Sequence, residues 1–133
     1  MGNEYGIDFN VFPNQSSAVG TRVDVVKVTT DGAETITGTV VRDDVVDPFV
    51  DIVELEDGSV VLDDERTGYI PAIQGDYKDR RAEVCFNMDA SHILDGTIVR
   101  DDAREPWKIV IKLDVGRFVL SRECQYRPLP RQE

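Results

Sequence analysis

The residues best suited to chemistry in this chain are carboxylates that stand beside an arginine. The tripeptide Arg42-Asp43-Asp44 recurs as Arg100-Asp101-Asp102. Adjacent carboxylates at a strand end could hold Mg²⁺ or Ca²⁺ through their oxygens, with the arginine attracting an anion. The same residues suit a turn in which an Asp side chain accepts backbone N–H bonds and pairs with the Arg. The spacing matches no established metal loop, so we favour the turn and predict no metal site. An enzyme with a carboxylate-bound metal is the least favoured alternative.

Other catalytic residue types are sparse. His92 is the one histidine of the sequence, and its context predicts a solvated loop residue. Cys85 and Cys124 lack the spacing of a zinc site, and we predict reduced thiols, with a disulfide between them as the alternative. The sequence contains neither a Gly-rich phosphate loop nor an HExxH motif. We therefore predict no enzymatic activity, no catalytic residues and no cofactor.

An internal repeat organises the elements that must position these residues. Positions 38–65 match positions 96–123 at a constant separation of 58, with 12 identities in 28 positions. Unrelated sequences of average composition would match at about two positions. The repeat continues weakly upstream, where Arg22 aligns with Arg81 after a single-residue gap. Two copies of one small unit are the simplest account of this pattern.

Each copy has the pattern of β-structure. The alternate positions from Trp107 to Leu113 are large and apolar, which is the period of a strand with one face inward. Gly58 and Gly116 mark tight turns between consecutive strands, where a residue must tolerate positive φ. Residues 5–11 alternate in the same way and predict an extra strand outside the repeat. This strand either covers a sheet edge of the first unit or is exchanged between subunits.

The order of these motifs resembles that of SH3-like and Tudor-type small barrels. The first copy has Gly38-Thr-Val-Val-Arg-Asp43 followed by Leu55-Glu-Asp-Gly58, and the second has Gly96–Asp101 followed by Leu113–Gly116. The resemblance implies an all-β fold of two tandem homologous SH3-like small barrels with an extra N-terminal strand. We place the N-terminal arm at residues 1–19, the first unit at 20–75 and the second at 76–133. A resemblance of fold transfers no function.

The charge of the chain is unequally shared between the two copies. The formal net charge is −11, from 15 Lys+Arg and 26 Asp+Glu. Residues 1–75 contain four Lys+Arg and 15 Asp+Glu, whereas residues 76–133 contain 11 of each. Such a field repels a phosphate backbone and attracts basic partners. The charge therefore argues against direct nucleic-acid binding and points to the acidic first copy as the functional face.

We expect the binding surface on the strands and loops of residues 43–65, together with two tyrosines near the rims of the units that would anchor the partner. The residues of this predicted surface are Asp43, Asp44, Asp47, Asp51, Glu54, Glu56, Asp57, Asp63, Asp64, Tyr69 and Tyr126.

The strand phase makes two further predictions. Phe49 and Trp107 fall at matching inward positions, so we expect them in the cores rather than in cages for methylated side chains. The same phase gives Asp51 the position of inward-pointing Ile109. Asp51 is therefore either buried beside an arginine, with Arg42 the nearest candidate, or turned to water at a bulge.

Together these features predict a non-enzymatic protein-binding or regulatory module whose acidic first copy docks a basic protein or a nucleic-acid-binding protein. One alternative is a phage-type inhibitor that mimics nucleic-acid phosphates, as anti-restriction and anti-CRISPR proteins do. Another is an acidic surface that serves only solubility or salt adaptation, and homo-oligomerisation stays open. The sequence has no apolar run of membrane-spanning length and no secretory signal, so we expect a cytoplasmic protein that does not contact membranes.

Overall fold

The chain forms two antiparallel β-sheets. The computed structural model describes residues 12–130, apart from the side chains of Asp63 and Asp64. Within this range the regular elements are β-strands and two short 3₁₀ segments, without an α-helix, which confirms the all-β class. None of these residues forms a helix long and apolar enough to span a bilayer. The strand predicted for residues 5–11 lies outside the described range.

One compact unit comprises residues 13–72, and the other comprises residues 73–130 together with Phe12. The first sheet has the order β1-β2-β3-β4, and the second has the order β8-β7-β6-β5-β9. Neither described sheet closes into a barrel. The strands are β1 (Arg22–Thr29), β2 (Gly32–Asp43), β3 (Asp51–Leu55), β4 (Val60–Leu62), β5 (Arg81–Cys85), β6 (Leu94–Asp101), β7 (Ile109–Leu113), β8 (Phe118–Leu120) and β9 (Gln125–Pro128). The 3₁₀ segments are Asp63–Thr67 and Ser121–Glu123.

Each unit has its own apolar core, built largely from the β-branched and aliphatic residues of its strands. In residues 13–72 the core consists of Val25, Val40, Val53, Leu55, Val61 and Tyr69. In the other unit it consists of Ala82, Val84, Phe86, Ile98, Ile111, Leu113, Val119 and Cys124, with Phe12 packed against it. Gly58 and Gly116 adopt φ values of 90° and 102°, as the predicted turns require.

A β-bulge in the long second strand turns an arginine away from the core. Val40 pairs with Val53, but Arg42 pairs with Ile52, so one extra residue is inserted on β2. Cross-strand partners share a face and strand neighbours alternate, so the bulge sends Val40 and Arg42 to opposite faces. The same irregularity lies between Ile98 and Arg100 on β6. Both arginines are buried.

The structure contradicts the core placement of Phe49 and Trp107. Both side chains are 64% exposed, and their φ values are 59° and 62°. A residue at positive φ does not belong to a strand, and β3 and β7 begin only at Asp51 and Ile109. The period-two pattern of the strands therefore does not extend back to these two aromatic residues.

Candidate binding surface

Two corresponding loops present these exposed aromatic residues. The Phe49 loop (residues 45–49) joins β2 to β3, and the Trp107 loop (residues 103–107) joins β6 to β7. Each contains a carboxylate, a cis-proline and an aromatic residue in succession, as Asp47-Pro48-Phe49 and as Glu105-Pro106-Trp107. A backbone hydrogen bond closes each loop tip, from the N–H of Phe49 to the Val46 oxygen and from that of Trp107 to the Arg104 oxygen.

A buried ion pair fixes the base of the Phe49 loop. The Asp44 side chain is fully buried and accepts hydrogen bonds from Arg42 Nε at 3.0 Å and Nη2 at 3.1 Å. It also accepts the Val50 N–H at 2.9 Å and Gln15 Nε2 at 2.6 Å. The Asp44 N–H in turn donates to the Val50 oxygen at 3.0 Å. Both ends of the loop are therefore bound to one carboxylate-bearing residue.

The Trp107 loop is held by the same set of contacts. Asp102 accepts hydrogen bonds from Arg100 Nε at 3.0 Å, from the Lys108 N–H at 2.9 Å and from Gln74 Nε2 at 2.8 Å. These are the contacts that the turn interpretation of the Arg-Asp-Asp motif predicts. They also occupy the carboxylates that the metal alternative would need.

The first aspartate of each motif has a different hydrogen-bond donor. Asp43 accepts the Ser16 hydroxyl, and Asp101 accepts the Tyr77 N–H at 3.1 Å. The two carboxylates of a motif are thus held by separate protein donors. Among the residues that the structure describes, no group of three or more Asp, Glu, His or Cys side chains could hold a metal ion.

In the acidic unit, residues 13–72, every lysine and arginine is paired with a carboxylate of the same unit. It contains 13 Asp+Glu and four Lys+Arg, and each of the four cations forms an ion pair inside the unit. The pairs are Arg22–Glu56 (2.9 Å), Lys27–Asp57 (3.3 Å), Arg42–Asp44 (3.0 Å) and Arg66–Asp51 (3.0 Å). The carboxylates exceed the cations by nine.

The remaining predicted acidic residues lie near both ends of β3. Asp47 is exposed in the loop before the strand, and Asp43 and Asp51 are half-buried there. Glu56 and Asp57 are exposed in the turn after it, and Glu54 is half-buried. Since β3 has five residues at about 3.3 Å each, its two ends are roughly 13–16 Å apart, and this length separates the loop of Asp47 from the turn of Glu56 and Asp57. The structure therefore does not bring the predicted acidic residues into one cluster.

The acidic side chains differ in their hydrogen-bond and ion-pair partners. Burial opposes ionisation of Asp57, but hydrogen bonds from Ser59 and Lys27 outweigh it and lower the pKa of this carboxyl. Asp51 pairs with Arg66 rather than with Arg42, whose guanidinium is bound to Asp44. The backbone of Asp63 and Asp64 begins a 3₁₀ segment, and their side chains lie outside the description.

Neither tyrosine is an open surface anchor. Tyr69 is 5% exposed, and its ring is part of the core. The backbone N–H of Tyr69 donates to the Val26 carbonyl oxygen, and the Tyr69 carbonyl oxygen accepts the Val28 N–H. These two bonds hold Tyr69 against β1. Tyr126 is half-buried on β9 of the other unit, and burial raises the pKa of its hydroxyl. The residues that sequence reasoning missed are Phe49 and Trp107, although the shared acid-Pro-aromatic motif was visible.

A serine and a histidine meet at the surface without forming a catalytic arrangement. His92 Nδ1 lies 2.9 Å from Asp89 Oδ2 and 3.1 Å from the Ser91 hydroxyl. A nucleophile triad needs the two different ring nitrogens for these two contacts. The Ser91 hydroxyl, and then His92, lowers the pKa of Asp89 to about 2. The group is therefore a polar loop contact.

Comparisons with known proteins identify no relative. The chain matches no protein-family model, no curated protein and no solved structure.

Proposed function

We propose that this protein is a non-enzymatic binding module that docks a basic protein on its acidic unit, residues 13–72. The observation that supports the proposal is the complete internal pairing of that unit's lysines and arginines. Because each cation is matched by a carboxylate of the same unit, the unit keeps an excess of nine negative charges, and the field of this excess attracts a basic partner. Opposite potentials of this kind accelerate association and favour one class of partner.

We further propose that the two units are copies of one SH3-like small barrel. Several features recur at the 58-residue separation of the sequence repeat. They are the bulges before Arg42 and Arg100, the buried Arg–Asp pairs, the acid–cis-Pro–aromatic loops and the positive-φ glycines Gly58 and Gly116. Such a duplication would make the second unit an internal reference for the first, because residues 73–130 carry 10 Lys+Arg and 10 Asp+Glu.

The correspondence provides a matched pair of variants. The acidic-unit variant carries Asp24→Asn, Asp47→Asn and Glu56→Gln. The control variant carries the aligned changes Glu83→Gln, Glu105→Gln and Asp114→Asn. Each removes three carboxylates, including one that pairs with the aligned arginine of β1 or β5, Arg22 or Arg81. The control also removes the exposed pair of Glu83 with Arg127. The two variants therefore have equal net charge, and they differ in the unit from which the three negative charges were removed.

Binding of synthetic hexalysine, measured by isothermal titration calorimetry at low and high salt, tests the proposal. Exposed ion pairs contribute about 0.2–1 kcal/mol each, so loss of three should weaken binding about 3-fold to 150-fold. We expect this loss, with a shallower salt dependence, for the acidic-unit variant, and little change for the control. Equal affinities of the two variants would refute a docking surface on residues 13–72.

A further inference from the structure

The Phe49 loop combines an exposed ring with an exposed carboxylate. Phe49 and Tyr69 are the aromatic residues of positions 13–72, and Tyr69 is buried. Phe49 is therefore the one aromatic side chain that this unit offers to solvent. Asp47, two positions before it, is exposed and forms no ion pair within the described residues. A ring and a carboxylate in one short loop are the two groups that attract an organic cation.

Contacts within the protein fix the conformation of the Phe49 loop before any partner binds. Asp44 binds the two loop ends, and its carboxylate is held by Arg42 and Gln15 in a site closed to solvent. Val45 and Val46 are also exposed, so the tip is apolar around its single charge. A binding loop whose conformation is already fixed loses little entropy when its partner arrives.

The composition of the loop selects the kind of cation. An aromatic cage for a methylated ammonium needs several rings, and this loop has one. A guanidinium is planar, so it can stack on a single ring face and still form a bidentate pair with a carboxylate. A lysine ammonium cannot do both in the same way.

We propose that the Phe49 loop receives an arginine side chain of the basic partner, stacked on Phe49 and paired with Asp47. This inference rests on the proposed function, since it identifies which residue of a basic partner is bound and where. The Trp107 loop has the same backbone contacts, but it contains Arg104 and is followed directly by Lys108. Their positive charge repels a guanidinium, so this loop is the natural control.

The test compares hexaarginine with hexalysine, two peptides of equal charge, by calorimetry at one salt concentration. We expect the wild-type protein to bind hexaarginine about twofold to fivefold more tightly, which corresponds to one exposed cation–π contact. Phe49→Leu should abolish this preference. Trp107→Leu and Ile70→Ala should retain it, and Ile70 is a suitable control because it is 69% exposed in the same unit.

Fluorescence gives an independent measurement, because Trp107 is the one tryptophan of the chain. The double variant Phe49→Trp with Trp107→Phe moves this probe into the acidic unit. Hexaarginine should change the emission of the double variant more than that of the wild-type protein. Equal affinities for the two peptides, or a preference that survives Phe49→Leu, would overturn the arginine site and leave the proposed function standing. Failure of both peptides to bind would overturn both.

Discussion

The buried pair of Arg42 and Asp44 makes a quantitative prediction about stability. Asp44→Ala removes the acceptor of four hydrogen bonds and leaves the Arg42 guanidinium, which is 1% exposed, without its carboxylate. Breaking a buried ion pair in this way costs about 3–5 kcal/mol. A typical domain has about 5–15 kcal/mol of stability, so we expect a large loss.

A second variant separates the charge from the hydrogen bonds. Arg42→Met combined with Asp44→Ala removes the stranded cation, which in many proteins restores stability. Here the Val50 N–H and the Gln15 amide still lose their acceptor. An unsatisfied buried donor costs about 1–3 kcal/mol, so the double variant should recover only part of the loss.

Urea unfolding, monitored by far-UV circular dichroism, measures these changes in stability. The dependence of the unfolding free energy on urea concentration should be the same for all variants. Asp24→Ala, at an exposed position of β1, should leave the midpoint unchanged. Asp102→Ala should reproduce the loss in the other unit, because its carboxylate has the same set of donors. A cost for Asp44→Ala no greater than that for Asp24→Ala would refute the structural role of the pair. A double variant as stable as wild type would refute the role of the additional hydrogen bonds.

Two further predictions concern packing and thiol chemistry. A Cβ on Gly38 would lie 2.6 Å from Val53 Cγ1, so Gly38→Ala should cost about 1–3 kcal/mol in the same urea assay. Gly68→Ala, with nothing within 4 Å of the added atom, should cost much less, and equal losses would contradict the close approach. Burial raises the pKa of Cys124 to about 12, so a thiol reagent should label Cys85 in the folded protein and Cys124 only after unfolding. Rapid labelling of both cysteines in the folded protein would contradict the burial of Cys124. The thiol of Cys124 should stabilise the fold fully below its unfolded pKa near 9.0 and lose that contribution as pH rises through about 12, an effect absent from Cys124→Ala.

Local features of the sequence predicted much of the fold. The alternation of apolar residues predicted the all-β class, and Gly58 and Gly116 predicted two turns that require positive φ. The Arg-Asp-Asp motif predicted an aspartate that pairs with its neighbouring arginine and accepts a backbone N–H. In each case the physical cause lies within a few residues of the position concerned, so the sequence contains the signal.

The candidate site depended on features that local patterns do not show. Phe49 was assigned to the core because the strand period was extended across a loop. Arg42 was the nearest candidate for pairing with Asp51, but the bulge turns Arg42 to Asp44, and Arg66 pairs with Asp51 instead. The pairing of Asp51 depends on Arg66, which is 15 positions away, and the direction of Arg42 depends on the one residue inserted at the bulge. A local sequence pattern shows neither of these.

The packing of Phe12 has a consequence for the order in which the chain can fold. This residue packs against the core of residues 73–130, and the Arg117 guanidinium lies 4.5 Å from its ring centroid. The two residues are more than a hundred positions apart, and contacts of such separation carry a large closure cost and slow folding. On the ribosome, Phe12 is made before the whole of residues 13–72 and has to wait for Arg117. Residues 13–72 can assemble meanwhile, so the second core is completed last, by a residue that precedes the first unit in the sequence.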